Sequence, residues 1–245
     1  MISGKNKMAD LVHINYLLIS VISRFGIQLG FGNKSVEEVC ADHTINLEFF
    51  LEIVNSFHDK DYFPHKHLQD FSIQLITDYL GKTHTYYLNE KIPEIEHLIN
   101  KMVEECYNKS ENAPLLKSFF QEYKNELFQH IQREDEKVFP YAMYVENKFL
   151  GRTPETRPRG VSKNYSIQEY NKEHDNIEEK LFDLKNIIIK YLPAPGNPSL
   201  CNQVISELFI LEKDINDHSR IEDKVLIPKV ELMEQAIRSS KPSHT

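Results

Sequence analysis

Two stretches of this chain carry the same chemistry at the same spacing. His130-Ile131-Gln132-Arg133-Glu134 is followed, six residues after its glutamate, by Pro140, and His218-Ser219-Arg220-Ile221-Glu222 is followed at the same offset by Pro228. A His and a Glu four apart lie on one face of a helix, one turn from each other. Imidazole with carboxylate, and no thiolate, is a donor set for a borderline or hard metal. One such pair on a helix is ordinarily a solvated ion pair; its repetition with the same proline offset sets these two apart. Each is also preceded by a histidine on the helix before it, His84 lying 46 residues before His130 and His174 lying 44 before His218. The echo extends around the motifs, Glu134-Asp135 matching Glu222-Asp223 and Val138-Phe139-Pro140 matching Leu226-Ile227-Pro228. The pattern reads as a helical hairpin duplicated and packed against itself.

His84, His130, His174, His218, Glu134 and Glu222 supply six protein ligands. If both glutamates bridge, each of two metals receives two imidazoles and two carboxylate oxygens. An oxide or hydroxide between them makes each metal five-coordinate, with one position open. Nitrogen and oxygen donors with an open position suit a non-haem di-iron centre, whereas zinc is more often satisfied by four ligands at one ion. Glu94-Ile95-Glu96-His97 is a Glu-x-x-His of the ferritin type, but that type needs two such motifs and two more glutamates. His13, His43, His58 and His244 have no repeated partner.

Helices must position these groups. Apolar spacing and punctuation predict four long helical segments over 69–108, 114–148, 166–192 and 199–238, with Pro93 kinking the first and Pro114 opening the second. Short loops between long helices make antiparallel neighbours, hence an all-α, antiparallel four-helix bundle over 65–245. Before it, residues 1–64 read as a small helical N-terminal domain. One helix is expected over 10–25 and a Gly-punctuated turn over 26–32. A short helix opened by a Ser35/Glu38 capping box follows, then a helix from Leu47 capped by Asn46. The last two invite a helix-turn-helix reading. Leu47-Glu48-Phe49-Phe50-Leu51-Glu52 carries acid where contact with DNA needs base, which excludes it. His65 and His67 read as linker histidines. The connector 150–164 is the longest irregular stretch and holds four basic residues.

The 245 residues, 40% of them hydrophobic and 27% charged, are enough for a sizeable core. A formal net charge of −8 argues against broad nucleic-acid or anionic-membrane binding while leaving room for a local basic patch. No apolar run is long enough for a membrane span, and the first residues do not read as a secretory signal. Cys40, Cys106 and Cys201 are far apart and read as reduced structural thiols, which points to the cytoplasm.

At Lys82-Thr83-His84, Ile92-Pro93-Glu94-Ile95, Phe128-Gln129-His130 through Pro140, Lys172-Glu173-His174-Asp175 and Asp217-His218 through Pro228, the sequence resembles the hemerythrin-like (HHE) cation-binding domain over roughly 70–236. The whole chain is similar to the iron–sulfur cluster repair di-iron family, also called regulator of cell morphogenesis and NO signalling. The resemblance implies a small N-terminal domain followed by a hemerythrin-like bundle with a four-His, two-Glu di-iron site. It also implies functional carboxylates beside that site, whose positions Glu126 and Glu173 match. The expected function is iron–sulfur cluster repair under nitrosative or oxidative stress, by redox cycling or iron donation. The alternative is O2 or NO binding or sensing. Iron–sulfur proteins are expected partners, and the N-terminal domain is expected to serve packing or homodimerisation. That family typically carries an adjacent Cys pair in a Gly-rich turn of the N-terminal domain; the corresponding turn here, Gly26-Ile27-Gln28-Leu29-Gly30-Phe31-Gly32, has none.

Overall fold

The apolar periodicity is realised as helix throughout. A computed structural model describes residues 1–107, 113–152, 156–173 and 177–239, and among these there is no strand, only a single bridge between Lys7 and Ser35. The helices are α1 (Met8–Ile14), α2 (Leu18–Arg24), α3 (Val36–Asp42), α4 (Leu47–His58), α5 (His65–Leu68), α6 (Ile73–Tyr86), α7 (Ile92–Cys106), α8 (Ala113–Arg133), α9 (Phe139–Phe149), α10 (Ile167–Glu173), α11 (Ile177–Asn186), α12 (Pro198–Ile221) and α13 (Ile227–Ser239).

The long elements form four legs. The first is α6 and α7, the second α8 and α9, the third α10 and α11, the fourth α12 and α13. Neighbouring legs touch in a ring, α7 against α8 and α12, and α11 against α8 and α12. At the other end α9 also meets α13 directly. The expected kink at Pro93 takes a specific form. Each leg contains one π turn: Tyr87–Lys91, Glu134–Val138, Ile187–Tyr191 and Glu222–Leu226. Each is closed by an N–H reaching back five residues: Ile92 to Tyr87 O, Phe139 to Glu134 O, Leu192 to Ile187 O, Ile227 to Glu222 O. The next residue is always proline, at 93, 140, 193 and 228. Proline has no N–H and its ring clashes with the carbonyl four residues back. The backbone can therefore change register at that position without orphaning a donor. In three of the four legs it then continues as α-helix.

The helix expected over 10–25 is instead two. Asn15 is extended, its side-chain oxygen accepts the Leu17 N–H at 3.1 Å, and α2 restarts at Leu18; the asparagine competes locally with the helical ladder. The capping box at Ser35/Glu38 and the Asn46 cap form as expected. Phe49, Phe50, Ile53 and Val54 of α4 are buried, so the face a DNA-reading helix would present lies in the core. Gly26 ends α2 with φ +81°, a left-handed conformation that suits glycine.

Two apolar clusters fill the molecule. One joins α1 to α5 with parts of α6, α9, α10 and α13, around Phe49, Phe50, Leu80, Val138 and Ile221. The other fills the bundle among α7, α8, α11 and α12, around Tyr87, Ile131, Leu181 and Ile215. Between Leu80 and Tyr87, between Ile131 and Val138, and between Ile215 and Val225, three of the legs pass from one cluster to the other. His84, Glu134, His218 and Glu222 occupy that level.

Candidate metal centre

Ligand-type atoms of His84, Glu134, His218 and Glu222 all lie within 4.8 Å of one another, and all four residues are buried. His84, from α6, places Nε2 3.1 Å from Nε2 of His218 and 3.2 Å from Glu134 Oε2. His130 lies beside them, its Nε2 3.0 Å from Glu134 Oε1, and Nε2 of His218 is 3.2 Å from Glu222 Oε1. The His-x3-Glu spacing thus does what helical geometry predicts, on α8 and again on α12, the glutamate in each case being the first residue of a π turn.

The structure brings five of the six residues expected from the sequence to one place. His174 lies outside the described residues. Glu126 is half exposed and accepts an ion-pair contact from Lys180. Glu173 ends α10, and its side chain is outside the described ones.

Three further groups complete the surroundings. Asp135 Oδ1 is 2.8 Å from Nδ1 of His84, a carboxylate–imidazole contact of the kind that orients a ligating ring. The Tyr170 hydroxyl donates to Glu134 Oε1. Tyr87 packs edge-on against His218, centroids 5.8 Å apart, and donates its hydroxyl to Asp214 Oδ1 at 3.0 Å. Asp214 in turn pairs through both oxygens with Arg24 of α2, a side chain only 1% exposed. Asp135 had a signal in the sequence, the acid repeated after each glutamate. Tyr170 lies four residues before His174, one turn along. Nothing local pointed to Arg24 and Asp214, 190 residues apart.

The electrostatics follow from burying imidazoles and carboxylates against one another. Burial disfavours a charged His84, but hydrogen bonds to Asp135 and Glu134 and the fields of Glu134 and Glu222 outweigh it and raise the imidazole to about 10. Burial, and then the charge on His84, push His218 down to about 3. Burial would raise Glu134, yet His130 and His84 hold it well below the usual carboxylate range. Burial first, then the Glu222 and Glu134 charges, keep Tyr170 protonated. Without metal, then, His84 is protonated, its Nε2 facing both Nε2 of His218 and Oε2 of Glu134. Nδ1 of His218 and Oε2 of Glu134 are buried without a hydrogen bond of good geometry. Converging imidazole and carboxylate donors, with polar atoms left over, can hold a metal ion.

No model of a known protein family matches the chain. Among curated proteins, the chain is similar to the iron-sulfur cluster repair protein ScdA of Staphylococcus haemolyticus (strain JCSC1435). The two are 21% identical over 235 residues, covering 94% of this chain and 99% of that protein. The resemblance to the repair family carried by the His and Glu motifs therefore extends over nearly the whole chain. Among the described residues, no helix is long and apolar enough to cross a membrane.

Proposed function

We propose that this chain is a non-haem di-iron protein of the iron–sulfur cluster repair type. In this reading His84, His130, His174 and His218 are terminal ligands and Glu134 and Glu222 are bridges. Residues 1–64 form an N-terminal helical domain set on the bundle of 65–245. The observation that supports it is the buried cluster of His84, Glu134, His218 and Glu222 donors within 4.8 Å, with nitrogen and oxygen but no sulfur among them.

Bound there, the iron pair would supply one-electron redox change and an open position for a diatomic such as NO or O2. The chain's own residues prepare the site. Asp135 keeps a proton on Nδ1 of His84, so that the Nε2 lone pair faces inward once its proton is displaced. Tyr170 holds Glu134 by one oxygen, fixing the carboxylate's orientation. The Phe139 ring, stacked on His84 at 5.4 Å and 10°, covers one face of that imidazole. The low-dielectric walls favour compact, charge-neutralising ligation by two carboxylates.

The test is iron content with an optical spectrum of the full chain purified with iron. About two irons per chain are expected, falling below about one in His130→Ala and Glu222→Ala. Unchanged iron in both variants would overturn the ligand assignment. A repair protein reactivates an oxidised iron–sulfur enzyme in a partner assay and gives up iron as it does. A second reading, NO or O2 sensing, has one observation in its favour: Arg24 of the N-terminal segment reaches Asp214, one turn ahead of His218. A sensor would bind NO without losing metal and would not reactivate the enzyme.

A further inference from the structure

A 440 Å³ cavity lies between α9, the connector that precedes α10, and α13, away from the metal centre. Its walls bring Lys148, Arg157, Lys163 and Arg238 together with Tyr141 and Tyr144. Two of the four basic residues of the 150–164 connector, Arg157 and Lys163, are among them. Nothing in the proposed iron chemistry uses this cavity.

The charge there is unbalanced. The carboxylate in the wall, Glu234, is already committed. Its Oε1 accepts from the Tyr141 hydroxyl at 2.6 Å and the Ile167 N–H at 3.0 Å, and its Oε2 accepts from Arg238 at 3.1 Å. Lys148, Arg157 and Lys163 have no carboxylate partner among the described residues. In a chain of net charge −8, three cations around one concavity with no carboxylate partner among the described residues are the reverse of the average surface. Like charges gathered this way repel, and a bound anion removes the repulsion.

The guanidinium is also held in place. Arg157 lies over the rings of Tyr141 and Tyr144, 5.5 and 5.9 Å from their centroids, and its Nη2 donates to the Tyr165 carbonyl at 3.1 Å. Its Nε is buried without a hydrogen-bond partner among the described residues. A guanidinium fixed by stacking, with donor capacity left over, suits a phosphate oxygen, and arginine is the side chain best matched to that geometry. Tyr144 is half-buried and stacked on Tyr141, with Lys148 5.8 Å from its centroid, so aromatic surface adjoins the cations. The volume is in the range of small-molecule sites and much exceeds what a bare phosphate fills.

We infer that this cavity binds a small-molecule phosphate ester, its phosphate among Lys148, Arg157 and Lys163 and its organic part against Tyr144. The inference does not depend on the identity of the metal.

The test is calorimetric titration of the full chain with inorganic phosphate, ribose 5-phosphate and adenosine 5′-monophosphate, at low and at physiological salt. One or both esters should bind with Kd below about 1 mM and inorganic phosphate about tenfold more weakly or worse. Preference for the nucleotide over the sugar phosphate places an aromatic ring on Tyr144, and the reverse order selects a sugar phosphate. Arg157→Gln and Lys163→Gln should each weaken the better ester about tenfold, while Lys190→Gln, on an exposed lysine elsewhere, should not. Iron content should stay the same in all three. Lys163 is exposed, so its variant keeps the test open if Arg157→Gln fails to fold. Equal affinity for inorganic phosphate and the esters, no binding at millimolar concentration, or binding indifferent to Lys163→Gln would each overturn the inference.

Discussion

Replacing Arg24 with Met should destabilise the protein strongly at neutral pH. The wild-type Arg24 guanidinium forks onto both oxygens of Asp214, Nη1 to Oδ1 at 2.9 Å, with side chains 1% and 10% exposed. Met fills the space beside Phe57, Tyr86 and Tyr87, so packing changes little. The carboxylate is left buried with the Tyr87 hydroxyl as its remaining donor. Removing one partner of a buried pair costs about 3–5 kcal/mol. Urea unfolding of metal-free protein at pH 7 measures the loss, and keeping metal out avoids ligand linkage. Arg24→Met with Asp214→Leu should recover most of the loss, since an apolar pair leaves no charge buried. A loss under about 1 kcal/mol at pH 7, or a double variant no better than the single one, would refute the reasoning.

Other outcomes follow from the same structure. Because His84 is raised to about 10 without metal, iron loading at pH 7 should release at least about one proton per chain, read from calorimetry in two buffers of different ionisation enthalpy; no release sinks that protonation state. The metal-free protein should also lose stability as pH rises from near 6.5 toward 10, the contribution of a raised imidazole being complete only below its unfolded pKa; His84→Ala should flatten that slope. Burial raises the Cys40 thiol to about 11, so alkylation at pH 8 followed by peptide mapping should label half-buried Cys106 well before Cys40, and equal labelling would contradict the burial. Pro140→Ala gives residue 140 an N–H and removes the clash with the carbonyl of Glu136; iron content should fall while the thermal midpoint holds or rises, and a fall in both would show the proline to be purely structural.

The legs and the meeting of most of the candidate ligands were legible because both are written in local spacing. Periodicity gave segment ends within a few residues of those observed, and a four-residue separation puts His130 by Glu134 and His218 by Glu222 whatever the rest of the chain does. What could not be read was set by contacts across the chain or by competition within a turn. Arg24 meets Asp214 over 190 residues, and no pattern around either residue announces the other. The break at Asn15 depends on one side-chain oxygen outbidding the backbone, a small local difference inside an otherwise apolar helix. Glu126, one turn before His130, pairs with Lys180 at the surface, a contact that no local pattern announces.

The proline offset in the two motifs is where local spacing and site chemistry meet. Pro140 and Pro228 each forbid the α-helical bond at their own position, and the chain answers with a π turn whose first residue is the buried glutamate. The carbonyl of that glutamate then accepts from a residue five ahead instead of four, so the helix widens where its carboxylate enters the cluster. An uninterrupted α-helix would rotate everything after Glu134 and Glu222 by nearly a third of a turn relative to this arrangement. The apolar residues that follow, Val138 and Phe139 on one leg and Val225 and Leu226 on the other, would then face differently from His130 and His218. The π turn lets one leg carry donors into the metal level and still return its apolar face to the cluster shared with the N-terminal helices. Pro93 does the same after His84. The repeated proline therefore belongs to the His-x3-Glu motif as much as the histidine and the glutamate do: it sets how the half of each leg that carries the candidate ligands is phased against the half that packs on the N-terminal segment.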